Sequence, residues 1–274
     1  MRYVSGQAFL KDPAKVVVFI GPSGAGKTHG AIQLASGGGW FHDSVDFRIW
    51  SQYLADELTA HHQSVTGDYD SAPFISVDDL SATAQYMGML GNPELGGTSL
   101  GEFIQRMNNY AEAERSAMLD LPAIITQAEN DHVVVDTSGS VCHMPNLCDP
   151  DDPVLAVMEQ AGLVVYLKPT YMHMAELIRR ATADPKPIYY PEGFLQRELP
   201  RLLSAHSATS VEELSPADVG RWLYPTLIHS RLPDYRAIAN RTGGITIPMS
   251  EFNQANSAPE VLACIARAIT RHLP

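Results

Sequence analysis

Short apolar runs, separated by amphipathic or polar stretches, form the main pattern along this chain of 274 residues. Several runs have the length and the β-branched composition of buried parallel strands, and segments with helical spacing lie between them. These runs are residues 16–20, 132–136, 163–167 and 244–248, with a weaker strand within 40–49 that ends in carboxylates. Strands that alternate with helices predict an α/β fold, in which a parallel β-sheet is flanked by helices.

Apolar residues at helical spacing predict six helices. These helices are residues 28–35, 49–61, 100–119, 172–181, 216–232 and 259–272. The helix at 100–119 carries the charges Arg106, Glu112, Glu114 and Arg115, which we assign to a solvated face. We keep Arg115 as a candidate contact to an acceptor molecule.

Two stretches have the composition of loops rather than of helices or strands. Residues 64–100 are rich in Gly, Ser, Asp and Pro, which predicts a loop-rich insertion. Residues 183–210 combine prolines, Gly193 and several cations, which predicts a mobile loop with short helical pieces.

The overall composition excludes several classes of protein. A net charge of −12 argues against a broad electrostatic surface for nucleic acid, although a local basic groove remains compatible with it. No signal-peptide pattern and no run near 18 apolar residues occurs, so we expect a soluble cytoplasmic protein without a membrane partner. Cys142, Cys148 and Cys264 are too few for a disulfide framework. The sequence does not indicate an oligomeric state.

The strongest motif follows the first apolar run directly and matches G-x-x-x-x-G-K-[ST], the pattern of a P-loop. Its residues are Gly21, Pro22, Ser23, Gly24, Ala25, Gly26, Lys27 and Thr28. Glycines allow a sharp turn with bare N–H groups near an anion, and the next helix directs its N-terminus at the same place. We therefore expect an ATP site, in which Lys27 reaches the β- and γ-phosphates and the Thr28 hydroxyl holds Mg²⁺.

Carboxylates at strand ends supply the candidate chemistry beside this loop. The run at 132–136 ends in Asp136, and a second acid beside a P-loop strand holds Mg²⁺ directly or through water. Asp43 and Asp46 end the weaker strand, and ligands of open parallel sheets bind at the carboxyl ends of strands. We expect at least one of these two aspartates to face the site; the alternative is a turn and a helix cap.

Together these segments resemble the shikimate kinase group of P-loop kinases. The resemblance covers about residues 16–49 and 133–247 and rests on GPSGAGKT, Ser44-Val45-Asp46, Asp136-Thr-Ser138-Gly139-Ser140 and Arg231-Leu-Pro-Asp-Tyr235-Arg-Ala-Ile-Ala239. It implies that Asp46 binds the acceptor hydroxyl, that the turn around Gly139 lines the acceptor pocket, and that Arg231 binds an anionic group of the acceptor. Ser44 replaces one acid of the family's Asp-x-Asp, and Gly139 alone remains of its glycine triplet.

The same resemblance implies a domain organisation. We predict a single P-loop kinase domain over residues 1–274, with a core at about 1–50 and 131–274. An inserted acceptor-side segment occupies about 51–130, and a lid occupies about 183–206. Lys186 or Arg197 of this lid could reach the transferring phosphoryl group when the lid excludes water.

The sequence thus predicts an ATP-dependent phosphotransferase that acts on an alcohol, with a small molecule as the acceptor. The catalytic candidates are Lys27, Asp46, Asp136 and Arg231, and the metal ligands are Thr28 and Asp136. A kinase of a hydroxymethylated pyrimidine, as a nucleotide or within bacteriophage DNA, would fit the altered pocket and the insertion. A third interpretation is an NTPase switch whose insertion binds a protein partner.

Overall fold

Five strands form one parallel sheet within the described residues, in the order β2-β3-β1-β4-β5. The strands are β1 (Val16–Ile20), β2 (Trp40–Ser44), β3 (His132–Asp136), β4 (Leu163–Lys168) and β5 (Ile245–Pro248). The structure, a computed structural model, describes residues 3–73, 75, 76, 81–128 and 132–272. Because β1 lies at the centre with the P-loop at its end, the predicted α/β P-loop fold is confirmed.

Helices account for most of the remaining described chain. They are α1 (Gly6–Lys11), α2 (Lys27–Ser36), α3 (Val45–Arg48), α4 (Ala55–Thr66), α5 (Ser81–Met87), α6 (Leu100–Leu119), α7 (Leu121–Gln127), α8 (Pro153–Ala161), α9 (Tyr171–Ala183), α10 (Glu192–His206), α11 (Pro216–Arg241), α12 (Met249–Phe252) and α13 (Ala258–His272). A π-helical turn, Ile49–Tyr53, joins α3 to α4. No helix of the described residues is both long enough and apolar enough to cross a membrane.

Helices cover the central strand of the sheet. Val17 and Phe19 of β1 are fully buried in a core that also contains apolar residues of α1, α2 and α13. Helix α8 packs against β1 and β4. All five β1 residues are buried, as expected for a central parallel strand. The sheet edge at the strands' carboxyl ends carries the P-loop.

The chain divides into two compact units. The first contains Met1–Asp46, Glu114–Met174 and Arg231–Pro274, and therefore the sheet and the P-loop. The second contains Phe47–Ala113 and Ala175–Ser230, and its described residues form helices and loops but none of the five strands. Residues 74, 77–80, 129 and 130 of the predicted insertion lie outside the described residues.

Several predicted element bounds were wrong. The helix predicted at 49–61 is a π-helical turn, Ile49–Tyr53, followed by α4, which ends at Thr66. Residues 183–210 contain α10, a 15-residue helix whose Phe194, Leu195 and Leu202 are buried, where a mobile loop with short helical pieces was predicted. Helix α11 continues past Pro233 to Arg241, whereas the predicted helix ended near residue 232. The strand predicted within 40–49 ends at Ser44, and Asp46 lies in α3.

Candidate functional site

The P-loop turns sharply because three of its glycines adopt positive φ angles. Gly24 has a φ of 79° and Gly26 a φ of 93°, a region that other residues rarely occupy. Gly26 directly precedes α2. The loop therefore directs the N-terminus of a ten-residue helix toward the space above β1, an arrangement suited to an anion.

Lys27 is the buried charge of this loop. Its ammonium group donates hydrogen bonds to the carbonyl oxygens of Gly21 (3.0 Å) and Pro22 (3.2 Å). Burial lowers the pKa of Lys27 from its usual value, and the carboxylates of Asp136, Asp46 and Glu114 act in the opposite direction. The lysine therefore lies within electrostatic range of three acids in the same unit.

Asp136 ends β3 beside the P-loop and has the properties of a group that binds a cation. The Thr28 hydroxyl hydrogen-bonds to its carboxylate, and burial raises the pKa of Asp136 above its usual value. No donor among the described residues satisfies its buried Oδ1 atom. Oxygen ligands from Thr28 and Asp136 suit Mg²⁺, which keeps several waters and needs few protein ligands. The residues present therefore fit this ion.

A metal cage made by protein alone is not present in the described part of the chain, where no group of three His, Cys, Asp or Glu side chains could hold an ion. That finding is compatible with a site in which Mg²⁺ is held by one carboxylate, one hydroxyl, water and substrate phosphates.

The end of β2 brings further polar side chains to this edge. Ser44 pairs in register with Asp136 of β3, and Asp43 is buried beside it. Asp43 raises the pKa of Asp136 through its negative charge, whereas Lys27 and His42 lower it. Asp46 is half-buried in the following helix, and its charge acts on both Lys27 and Glu114.

Glu114 was missed as a functional candidate, because we assigned it to the solvated face of α6. It is fully buried, and burial raises its pKa to about 7. Its carboxyl group accepts hydrogen bonds from the hydroxyls of Ser138 and Ser140. The sequence did contain a signal: Glu114 lies on the helical stripe that includes the buried Phe103 and Met107.

The turn after β3 is a meeting point of three distant segments. The Gly139 carbonyl oxygen accepts hydrogen bonds from Arg231 Nη1 (2.9 Å) and from the Tyr235 hydroxyl (2.6 Å). A Cβ atom added to Gly139 would lie 2.9 Å from the Ser23 amide nitrogen and closer still to the Ser23 hydroxyl. The turn therefore packs directly against the P-loop, and a side chain at Gly139 would collide with it.

Arg231 is almost completely buried, with 1% of its surface exposed. Its Nε atom donates to His143 Nε2 at 3.0 Å. Burial and the guanidinium charge lower the pKa of His143 to about 3, so this imidazole is neutral at physiological pH and accepts the hydrogen bond. The charge of Arg231 also acts on Lys27 and Glu114.

Most predicted site residues thus belong to one unit of the structure. The P-loop, Asp46, Asp136 and Arg231 all lie in the first unit, whereas Lys186 and Arg197 lie in the second. Arg115 donates to the Met144 carbonyl oxygen (2.7 Å) and lies near Asp152, and these are contacts that stabilise the fold.

Comparisons with known proteins return structural neighbours only. No protein-family model and no curated protein matches the sequence. Two solved structures, with 14% and 15% identity, are the shikimate kinase from Bacteroides thetaiotaomicron and that from Acinetobacter baumannii in complex with shikimate. The first alignment covers 91% of this chain and 94% of that chain, with a TM-score of 0.42. The second covers 98% and 99%, with a TM-score of 0.39.

Both neighbours belong to the family that the motifs of this sequence resemble. At such identities and TM-scores they carry no argument about the reaction, which has to be inferred from the side chains of this chain. The fold assignment rests on the order of the parallel strands and on the P-loop that follows the central one.

Proposed function

We propose that this chain is an ATP-dependent P-loop kinase that transfers the γ-phosphoryl group to a hydroxyl group of a small-molecule acceptor. One observation carries the proposal: the buried P-loop lysine, Lys27, lies within electrostatic range of four charged side chains. They are Asp136, whose Oδ1 atom is unsatisfied, and Asp46, Glu114 and Arg231. An isolated phosphate-binding loop needs no such group of acids, whereas transfer to a hydroxyl needs a group that binds or deprotonates it.

The P-loop would bind the phosphates of ATP. Backbone N–H groups of residues 23–28 would surround the phosphate oxygens, and Lys27 would exchange its bonds to the Gly21 and Pro22 carbonyls for bonds to the β- and γ-phosphates. Because Lys27 is already buried, its charge would act there with little screening by water.

Thr28 and Asp136 would hold Mg²⁺ through the threonine hydroxyl and the aspartate Oδ1 atom. When bound, this ion neutralises phosphate charge and orients the β- and γ-phosphates. On the neighbouring strand, the charge of Asp43 raises the pKa of Asp136 and that of His42 lowers it.

On the acceptor side, Asp46 would orient or deprotonate the hydroxyl group. Arg231 would supply positive charge, either to an anionic group on the acceptor or to a phosphate, while its bonds to Gly139 and His143 hold the guanidinium in place. Residues 183–206 would act as a lid that excludes water. Reduced hydrogen exchange in this segment on nucleotide binding would test that role.

The test is a screen for acceptor-dependent ADP release with ATP and Mg²⁺. Alcohol metabolites, nucleosides, hydroxymethylated pyrimidine nucleotides and DNA that contains the modified base are offered separately, and Lys27→Ala protein prepared in parallel serves as the blank. We expect a small alcohol to raise ADP release, with one phosphorylated product formed for each ADP.

Other outcomes would favour other functions. Product formed only on modified DNA, with strong sensitivity to salt, would support the kinase of a DNA base. Slow ADP release that no acceptor changes would contradict the kinase proposal and support an NTPase switch.

A further inference from the structure

The buried cluster of Glu114, Ser138 and Ser140 lies outside the phosphate-binding groups but is connected to them. Ser138 Oγ donates to Glu114 Oε1, and Ser140 Oγ donates to Glu114 Oε2 at 2.7 Å. Ser138 Oγ also accepts a hydrogen bond from the Ser140 backbone N–H at 3.0 Å. One carboxyl group therefore holds both ends of the three-residue turn 138–140.

The residue between these two serines is the one that touches the P-loop. Gly139 packs against the Ser23 backbone so closely that a Cβ atom would not fit, and its carbonyl oxygen accepts from Arg231 and Tyr235. Any shift of the turn would therefore reach the P-loop on one side and Arg231 on the other.

We propose that Glu114 is a positioning residue: through Ser138 and Ser140 it fixes Gly139 against Ser23, and so holds the P-loop and Arg231 in the geometry that binds nucleotide. The inference deepens the proposed function and rests on it for its consequence in nucleotide binding. Its structural part, the coupling of Glu114 to the P-loop, is independent of the reaction.

Placing a carboxyl group in this position is costly, which argues against a mere space-filling role. A buried acid loses its hydration, and replacing such groups by apolar ones is often neutral or stabilising for the fold. An apolar side chain would fill the same space but could not hydrogen-bond to both serine hydroxyls. Bidentate acceptance by one rigidly held group specifies the conformation of the turn.

Hydrogen exchange of the protein without ligands tests the coupling. We expect Glu114→Ala to speed amide exchange in peptides that cover residues 21–28 and 137–144, and to leave peptides of β5 and α13 unchanged. Glu114→Gln keeps the same shape; its amide oxygen still accepts from one serine hydroxyl and its amide N–H can donate to the other, so it should restore most of the protection. Glu112→Ala serves as the matched control, because Glu112 is exposed on the same helix.

A second measurement connects the coupling to nucleotide. Titration with ADP and Mg²⁺ should show a dissociation constant raised by roughly two- to tenfold in Glu114→Ala, the range expected for the loss of one ordinary hydrogen bond. Glu114→Gln and Glu112→Ala should bind as wild type does. The double variant Ser138→Ala/Ser140→Ala should reproduce the Glu114→Ala exchange pattern, and combining all three changes should add little further effect.

The outcomes separate the inference from the function on which it rests. Wild-type exchange at residues 21–28 in a folded Glu114→Ala protein would overturn it, as would a uniform rise in exchange over the first unit. If Glu114→Ala does not fold, the serine double variant decides the question in the same way. A wild-type protein that binds no ADP would contradict the proposed function, while the exchange data would still decide the coupling.

Discussion

The P-loop and the turn at residues 138–140 follow neighbouring strands and pack against each other, yet they are fixed by different means. The P-loop is held by local contacts: positive-φ glycines, the bond from Ala25 N to the Pro22 oxygen, and Lys27 bonded to the loop's own carbonyls. The turn is held by side chains from far along the chain, namely Glu114 and, more than 90 positions away, Arg231 and Tyr235.

Because they are held differently, the two segments should respond differently to substitution. The P-loop should keep its shape when one of its own side chains is removed, because its backbone bonds remain, so a substitution within it should affect ligand binding and catalysis more than folding. A turn fixed by distant side chains should transmit the loss of one partner to everything that it touches. Substitutions in the two regions should therefore separate activity from conformation.

The largest expected effect comes from Lys27→Ala. Removing a charge aimed at the transferring phosphoryl group should lower kcat by about 10²–10³-fold. The thermal midpoint should remain close to that of wild type, because the hydrogen bonds of the lysine within the described residues go to carbonyls of its own loop. Turnover and thermal unfolding of Lys27→Ala are compared with those of Lys11→Ala, whose side chain is exposed. Near-normal turnover would remove the P-loop from the mechanism.

The second prediction concerns the pH dependence of stability at Glu114. Its pKa is raised to about 7 in the folded protein from an ordinary 4.5, so its neutral form favours folding. That contribution is fully present below pH 4.5 and is lost as pH rises through about 7. Glu114→Gln should therefore stabilise the protein above pH 7, by on the order of 3 kcal/mol, and the advantage should shrink toward pH 5.

Thermal unfolding of Glu114→Gln and wild type at a series of pH values checks this sign. Glu112→Gln, exposed on the same helix, should show no such trend. An advantage of Glu114→Gln that grows as pH falls would mean that the buried group is ionised and favourably paired in the folded protein.

The sequence predicted the parts of this region that depend on local pattern. Strands β1 and β3 and helix α6 have the predicted bounds, since apolar runs and helical spacing specify such elements directly. The P-loop was found because its function resides in backbone geometry, which glycines encode at fixed spacing.

Glu114 escaped prediction because a charged residue on an amphipathic helix is usually solvated. Its partners, Ser138 and Ser140, lie 24 and 26 positions away, and spacing along one sequence does not indicate such a contact. The end of α11 was misplaced for a related reason. Pro233 weakens a helix locally, but tertiary packing of residues such as Tyr235 and Ile238, both fully buried, outweighs that cost.

Asp136→Asn should have the third-largest effect. It should lower activity and leave the stability of the ligand-free protein unchanged or higher. Losing a carboxylate that supports a metal through water or a hydrogen bond typically costs about ten- to a hundredfold in metal affinity or activity, and a direct ligand should cost no less. The Mg²⁺ concentration for half-maximal turnover should therefore rise. Burial raises the pKa of this acid, so its ionised form disfavours folding. Above neutral pH and without ligands, the Asp136→Asn protein should therefore be as stable as wild type or more stable.

A Mg²⁺ titration of turnover, together with thermal unfolding in the absence of metal, distinguishes the two roles. Asp43→Asn on the neighbouring strand provides the comparison, since it removes a second buried charge that acts on Asp136. An unchanged Mg²⁺ requirement combined with lower stability would show that Asp136 serves to stabilise the turn rather than to bind an ion.

The smallest expected effect is that of Gly139→Ala, which tests the contact between the two regions directly. The new methyl group would meet the Ser23 backbone and hydroxyl, so either the turn or the P-loop has to move. Overpacking of this kind costs about 1 kcal/mol or slightly more, which corresponds to a few degrees in the thermal midpoint. Gly101→Ala is the matched control, because its added Cβ meets no atom within 4 Å and alanine favours a helix.

Thermal unfolding and ADP binding are measured for both variants. We expect Gly139→Ala to lose stability and nucleotide affinity together and Gly101→Ala to lose neither. If Gly139→Ala loses stability but binds ADP as wild type does, the turn adapts alone, and the P-loop keeps its geometry without the contact at Ser23.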